Sequence, residues 1–120
     1  MNDKLYWYRA RLLRVVDGDT LDLEIDLGLK IFVRERIRLF GIDTPEIFGI
    51  KKESEEYQRG MAAKEFVEEL LKDKAIWIKT YKDKTGKFGR YLADVHIQDE
   101  EGRHVSVAKR LLDEGLANEY

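Results

Sequence analysis

Residues 20–27 and 31–39 constrain the fold most, because each segment alternates apolar and charged side chains with the two-residue period of a β-strand. The alternating positions are apolar Leu21, Leu23, Ile25, Leu27, Ile31, Val33, Ile37 and Leu39, acidic Asp22, Glu24 and Asp26, and basic Arg34, Arg36 and Arg38. A turn is expected at Gly28, between the segments. The sequence therefore predicts a half-buried hairpin whose outer face carries cross-strand ion pairs.

The other segments supply three strands and two helices. Residues 5–16 are rich in aromatic and β-branched side chains, but the alternation slips at Leu12 and Leu13, which predicts a bulged strand. Residues 54–72 change to a helical period, with Ser54 as the cap. The remaining predicted elements are a strand at 75–81, a turn at 83–86, a strand at 91–97 with Tyr91, Ala93, Val95 and Ile97 facing inward, and a helix at about 106–114 that Gly115 ends.

This order of elements is typical of an OB-fold. It predicts a fold that is mainly β with helices (α+β), a five-stranded Greek-key barrel with one helix between strands three and four and a short C-terminal helix. No linker, repeat or shift in composition divides the chain. Residues 1–120 are therefore expected to form a single domain.

Composition excludes several functional classes. Because the chain has no cysteine, it has no disulfide and no thiolate zinc site, and carboxylates and histidines are the candidate metal ligands. The chain has no apolar run of about 18 residues and no secretory signal at its polar start, so an intracellular (cytoplasmic) protein with no membrane partner is expected. Each half carries 11 Lys and Arg against 12 Asp and Glu, and this balance does not by itself favour a nucleic-acid partner.

Candidate chemistry lies where polar residues leave the alternating strands, at residues 17–20 and 43–46. In a hairpin that turns near Gly28, paired residue numbers sum to roughly 56–58. Arg38 then falls within a residue or two of Asp19, and the second polar segment leaves the same end of the sheet. The two segments are therefore expected to meet.

Oxygen donors in these segments suit a calcium ion. Asp19 and Asp43 supply hard carboxylate oxygens, and Pro45 favours an extended Thr44 whose carbonyl can turn outward. Because calcium takes six to eight oxygens, three protein ligands leave positions for water and for a substrate phosphate.

Groups for phosphate chemistry surround this candidate ion. Glu46 could orient or deprotonate a water that attacks phosphorus. Arg38 and Arg90 could hold the phosphate and stabilise a five-coordinate transition state. Residues 79–90 carry a local charge of +4, which favours binding of a polyanion. The candidate substrate contacts in that segment are Lys82, Lys84 and Lys87.

Simpler explanations exist for single features. Asp-Gly is a common turn dipeptide, so Asp17 and Gly18 alone indicate only a turn. Trp7 and Trp77 are interpreted as core residues rather than as platforms that stack on bases. The two histidines, His96 and His104, are interpreted as structural or surface residues, because no second ligand lies at metal-binding spacing.

Taken together and in this order, the motifs resemble those of the staphylococcal (micrococcal) nuclease family, also called thermonucleases. The resemblance covers nearly the whole chain and rests on residues 16–20, 36–46, 87–93 and 114–117. It implies a calcium-dependent OB-fold phosphodiesterase that cuts DNA and RNA with little sequence preference, breaking the bond to the 5′ oxygen and leaving 3′-phosphate ends. The residues carried over by motif are Asp19, Asp43 and the Thr44 carbonyl as calcium ligands, Glu46 as the general base or water-orienting group, and Arg38 and Arg90 as phosphate clamps.

Two features depart from the family pattern. Extracellular members have a tyrosine that bonds the terminal phosphate of a bound nucleotide, and this chain has Phe88 there, so weaker phosphate binding is expected. Members commonly carry nucleotide-contacting tyrosines and a further helix after the Gly-Leu-Ala motif. Tyr120 is the candidate for that contact in this chain, from a shifted position.

The main hypothesis is a calcium-dependent nuclease that acts as a monomer on single-stranded or locally melted DNA and RNA. The alternative is a catalytically weak or inactive OB-fold module that binds nucleic acid or protein. A third hypothesis is a calcium-binding structural domain whose arginines only pair with strand acids. With little surplus positive charge, substrate binding is expected to be weak, sensitive to salt and dependent on the metal.

Overall fold

The computed structural model describes residues 7–85 and 91–120, except for the side chains of residues 82–85. The strands are β1 (Trp7–Asp17), β2 (Thr20–Asp26), β3 (Phe32–Leu39), β4 (Ile42–Asp43), β5 (Ile76–Thr85), β6 (Tyr91–Gln98), β7 (His104–Ser106) and β8 (Asn118–Glu119). The helices are α1 (Glu55–Leu71) and α2 (Val107–Asp113). Within these described ranges, neither helix has both the length and the apolar character that a membrane span requires.

Five strands close into a barrel. Neighbouring strands pair antiparallel in the order β3–β2–β1–β5–β6, and a parallel pairing of β3 with β6 completes the ring. β7 extends the sheet beyond β6, while β4 and β8 form a separate two-stranded ribbon. The predicted five-stranded, mainly β barrel with two helices is confirmed.

The β2–β3 hairpin has the predicted register. Thr20 lies opposite Arg38, and Asp22 lies opposite Arg36. Arg36 Nε donates to Asp22 Oδ1 at 2.8 Å on the outer face, next to a pair between Arg34 and Glu24 at 3.2 Å. Because such solvated pairs contribute at most about 1 kcal/mol each, they define the register more than they stabilise the barrel.

The tip of this hairpin differs from the prediction. Leu27 and Ile31 were expected on the apolar face, but both lie outside the strands and are exposed. Gly28, Leu29 and Lys30 all have positive φ values, from 54° to 88°, so the chain turns over three residues. Leu27 and Ile31 therefore lie beyond Asp26 and Phe32, the last paired residues of the hairpin, and do not join the core.

Two predictions about β5 and β6 are also wrong. Residues 83–85 were expected in a turn, but they continue β5. Tyr91 was expected to face inward, yet it is exposed, whereas the next three inward positions of β6 are buried. Tyr91 starts β6 at the rim, opposite Ile37 and Thr85, beyond the end of the core.

Trp7 and Trp77 lie on the outer wall of the barrel, so their interpretation as core residues is wrong. Both neighbours of Trp77 in β5 are fully buried, and strand alternation therefore turns the indole outward. Trp77 stacks there with His104 at 6.0 Å between ring centres, and Trp7 meets His96 edge-on at 4.8 Å. The histidines are surface partners of these rings, in line with the prediction.

Helix α1 covers one end of the barrel. Ser54 caps the helix by accepting the Tyr57 N–H at 3.1 Å, as predicted. The helix buries Gly60, Ala63 and Val67 towards the barrel. Gly60 and Ala63 are small enough to allow close contacts with the loops that carry the predicted site.

Candidate active site

The predicted polar segments, residues 17–20 and 43–46, lie against each other at one end of the barrel. The Thr44 N–H donates to Asp19 Oδ2 at 3.2 Å, and Thr20 Oγ1 donates to Asp19 Oδ1 at 2.9 Å. Asp19 and Thr44 are each only 4% exposed. A carboxylate this deeply buried needs such donors, because an unpaired buried charge costs several kcal/mol.

Arg38 joins two acidic residues from different segments. Its Nη2 lies 3.0 Å from Asp43 Oδ1 on β4 and 3.6 Å from Asp19 Oδ2 on the β1–β2 turn. The same nitrogen donates to the Ile42 carbonyl at 3.1 Å. Two carboxylates therefore converge on one guanidinium nitrogen, and that side chain is only 14% exposed.

Gly18 makes this convergence possible for steric reasons. Its φ lies outside the left-handed region, so the turn does not need glycine for its backbone conformation. A Cβ at Gly18 would lie 2.7 Å from Ala63 Cβ on α1 and 2.9 Å from Thr44 Cγ2. The dipeptide that alone indicates only a turn is therefore also the place where three segments pack together.

Gly60 likewise allows the loop that carries Glu46 to approach helix α1 closely. A Cβ at Gly60 would lie 2.5 Å from Ile47 Cγ2, 2.6 Å from the Pro45 carbonyl oxygen and 3.0 Å from the Glu46 carbonyl oxygen. Ile47 is buried in this contact. The loop thus rests directly on the backbone of α1.

A cavity of about 470 Å³ opens beside the converging carboxylates. Arg38, Glu46, Asp17 and Thr20 all line it. Glu46 is exposed, so its carboxylate has access to water and to a ligand in this cavity. The barrel end, the β1–β2 turn and the loop on α1 therefore contribute to one concave site.

Asp17 belongs to this cluster, although the sequence did not single it out as a site residue. Burial, a hydrogen bond with Asp19 and the charge of Asp19 raise the pKa of Asp17 above its usual range. Burial also acts to raise the pKa of Asp19, but hydrogen bonds from Asp17, Thr44 and Thr20 and the charge of Arg38 lower it overall. The Asp-x-Asp spacing in a tight turn is the signal that could have identified this pair.

Tyr120 lies next to Arg38. The Arg38 guanidinium carbon is 4.9 Å from the centre of the Tyr120 ring, which is largely exposed. The short β4–β8 ribbon and a 3.0 Å hydrogen bond from Tyr120 N to the Gly41 carbonyl hold it there. The last strand of the chain therefore supports both Asp43 and the aromatic neighbour of Arg38.

The structure brings together most of the predicted site residues. Those found at this end of the barrel are Asp19, Arg38, Asp43, Thr44, Glu46 and Tyr120. Arg90, Lys87 and Phe88 lie outside the described residues, as do the side chains of Lys82 and Lys84. Across residues 7–85 and 91–120 no group of three acidic or histidine side chains is arranged to hold a metal ion, so a cation here would also need backbone, water or substrate oxygens.

Comparisons with known proteins show which family the chain resembles. The chain matches the family described as staphylococcal nuclease homologue over residues 36–120. It is 36% identical over 104 residues to the thermonuclease of Staphylococcus intermedius, covering 87% of this chain and 55% of that protein. It is also 33% identical over 129 residues to the uncharacterized protein MJ1439 of Methanocaldococcus jannaschii, covering 94% and 59% of the two chains. The chain thus spans little more than half the length of these relatives.

Proposed function

The chain belongs to the family of staphylococcal nuclease homologues, and from that premise we propose that it is a calcium-dependent phosphodiesterase that hydrolyses DNA and RNA. The proposed reaction breaks the bond from phosphorus to the 5′ oxygen and leaves 3′-phosphate ends. The observation that carries the proposal is the convergence of Asp19, Asp43 and Arg38 beside a cavity that Glu46 also lines.

The residues present are of the kind that calcium prefers. Asp19, Asp43 and the Thr44 carbonyl would hold the ion through hard oxygen atoms. Within the described residues, the Thr44 hydroxyl is buried without a hydrogen-bond partner, so this corner of the site has polar capacity that the protein itself does not use. When bound, calcium supplies positive charge to a phosphate oxygen and leaves coordination positions for water.

Arg38 is suited to hold the phosphate at the reacting centre. Its planar guanidinium can donate two parallel hydrogen bonds to phosphate oxygens, and its burial strengthens those bonds relative to water. The Ile42 carbonyl and the Tyr120 ring fix its orientation. Arg90 is proposed as a second clamp on the strength of its motif.

Glu46 is proposed to orient the attacking water and to accept its proton. As the water oxygen bonds to phosphorus, the bond to the 5′ oxygen breaks, and that oxygen takes a proton from solvent to leave as an alcohol. Such positioned acid–base groups contribute rate factors of about 10² to 10⁴. The contact of this loop with Gly60 sets where the carboxylate lies.

The test is cleavage of a single-stranded DNA oligomer in calcium and in chelator. Glu46→Ala is compared with Glu53→Ala, because Glu53 is an exposed glutamate on the same loop. We expect calcium-dependent cleavage to 3′-phosphate products, lost by roughly 10²-fold or more in Glu46→Ala and retained in Glu53→Ala. Binding without cleavage by the wild type would favour the OB-fold binding module, and equal rates for the two variants would remove Glu46 from the mechanism.

A further inference from the structure

The cavity beside the candidate active site continues past the residues assigned to the reaction. Besides Arg38, Glu46, Asp17 and Thr20, its lining includes Arg14, Arg36 and Phe48. Tyr120 packs on Arg38 but is not one of the lining residues. Arg14, Arg36 and Phe48 are therefore potential binding groups that the proposed hydrolysis does not use.

Arginines on the barrel wall add positive charge to this cavity. Arg14 lies opposite Asp22, and Asp22 lies opposite Arg36, so the three residues form one row across β1, β2 and β3. Arg36 pairs with Asp22, which leaves the row with one positive charge in excess. A hydrogen bond from Arg36 and the charges of Arg36 and Arg14 lower the pKa of Asp22, as expected for a carboxylate between two arginines.

This row is close to the proposed reaction centre. It lies two residues along β2 and β3 from the pair formed by Thr20 and Arg38, a distance of about 7 Å along the strands. A polynucleotide whose scissile phosphate sits at Arg38 can therefore bring its neighbouring phosphate to Arg14.

Phe48 adds an aromatic surface to the same cavity. Its side chain is 56% exposed, whereas Ile47 before it is buried against Gly60 and anchors the loop on α1. Surfaces that bind single-stranded nucleic acid combine these elements, because aromatic rings stack on unpaired bases while cations hold the backbone.

We infer that Phe48 is a stacking platform for an unpaired nucleobase next to the scissile phosphate, and that Arg14 contacts the adjoining phosphate. The inference rests on the proposed function and adds a subsite to it, which takes one unpaired nucleotide next to the scissile phosphate. A base in a duplex offers its face to Phe48 only after unpairing and unstacking, which costs a few kcal/mol.

The experiment compares Phe48→Ala with Phe32→Ala. Phe32 is a matched control, because it is 55% exposed and lines a different cavity near Arg9 and Glu24. Affinity is measured by fluorescence anisotropy, in calcium and in chelator, for labelled oligothymidylate and for an oligomer of equal length built from stable abasic residues. Cleavage rates on oligothymidylate and thermal unfolding are measured in parallel.

We expect Phe48→Ala to weaken oligothymidylate binding about tenfold, with a much smaller effect on the abasic oligomer, and Phe48→Trp to restore the affinity. Phe32→Ala should stay within twofold of wild type on both. Arg14→Ala should weaken binding of both oligomers alike and reduce the salt dependence, whereas Arg34→Ala, an exposed arginine outside the cavity, should not.

Equal effects of Phe48→Ala and Phe32→Ala, or an equal loss on the abasic oligomer, would overturn the inference. The two proposals fail separately. Normal calcium-dependent cleavage with no effect of Phe48→Ala would reject the stacking platform and leave the nuclease function standing. Base-dependent binding through Phe48 without any cleavage would reject the nuclease function and leave the stacking platform standing.

Discussion

Replacing Gly60 by alanine tests whether helix α1 positions the Glu46 loop. On an exposed helix surface this change would stabilise the helix by about 1 kcal/mol, because glycine is the poorer helix former. At Gly60 the new Cβ would meet Ile47 Cγ2 at 2.5 Å and the Pro45 carbonyl oxygen at 2.6 Å. Ordinary contacts between carbon atoms are about 3.5 to 4.0 Å, so the loop must move by about 1 Å.

The expected result is a small change in stability and a large change in rate. Overpacking costs about 1 to 3 kcal/mol, and the helix gain offsets about 1 kcal/mol of it, so Gly60→Ala should lose about 0 to 2 kcal/mol. Domains of this size have about 5 to 15 kcal/mol of stability, so the variant stays folded at 25 °C. A displacement of about 1 Å at a catalytic group, in contrast, can lower the rate about 10²-fold.

The assay pairs urea unfolding with the calcium-dependent cleavage rate on one oligomer. Ala62→Gly is the control, because Ala62 is an exposed position of the same helix. It should lose about 1 kcal/mol of stability and keep the wild-type rate. If Gly60→Ala gained stability and cleaved within twofold of wild type, the contact with α1 would not position Glu46, and this reasoning would be refuted.

Two further predictions concern the role of Arg38 in cleavage and the effect of His96 on stability. Arg38→Ala should lower the cleavage rate in steady-state kinetics by roughly 10²- to 10³-fold, because it removes a buried charge-assisted contact to the transition state. Arg34 is an exposed arginine of the same strand, and Arg34→Ala should leave the cleavage rate unchanged. Burial, with the charges of His104 and Lys79, lowers the pKa of His96 against the opposing effect of Asp94. His96 therefore binds a proton more readily in the unfolded chain than in the folded protein. The free energy of unfolding, measured with urea, should fall as the pH drops below about 6.5. His96→Gln should make that fall smaller. An unchanged slope in His96→Gln would contradict the second prediction.

The register of the β2–β3 hairpin could be predicted because two independent patterns agree on it. Apolar alternation defines which face is buried, and the opposite charges of Asp22 and Arg36 define which residues pair across the strands. The position of Arg38 opposite Thr20 follows from that register. The position of Arg38 next to the β1–β2 turn was thus predictable from local sequence alone.

Features that depend on tertiary contact could not be predicted in this way. β4 and β8 are two residues long, too short for any periodicity, although their pairing supports Asp43 and Tyr120. Gly18 and Gly60 matter because of what lies against them, and nothing in their immediate sequence reports that contact. The outward direction of Trp77 depends on which of two apolar faces of β5 meets the core, and a strand rich in apolar residues leaves that choice open.

The pairing of Arg38 with two carboxylates bears on how a chain of balanced net charge could bind phosphate. Arg38 contacts the two carboxylates that are the proposed calcium ligands, so without a cation its charge is largely neutralised by Asp19 and Asp43. A cation held by those carboxylates would replace Arg38 as their positive partner and leave the guanidinium charge for phosphate. Metal and phosphate would then each strengthen the binding of the other, and by linkage the two effects must be equal in free energy. Since the outer acids Asp22 and Glu24 are already paired with strand arginines, an overall charge of −2 is compatible with a site that becomes attractive to phosphate when the metal binds.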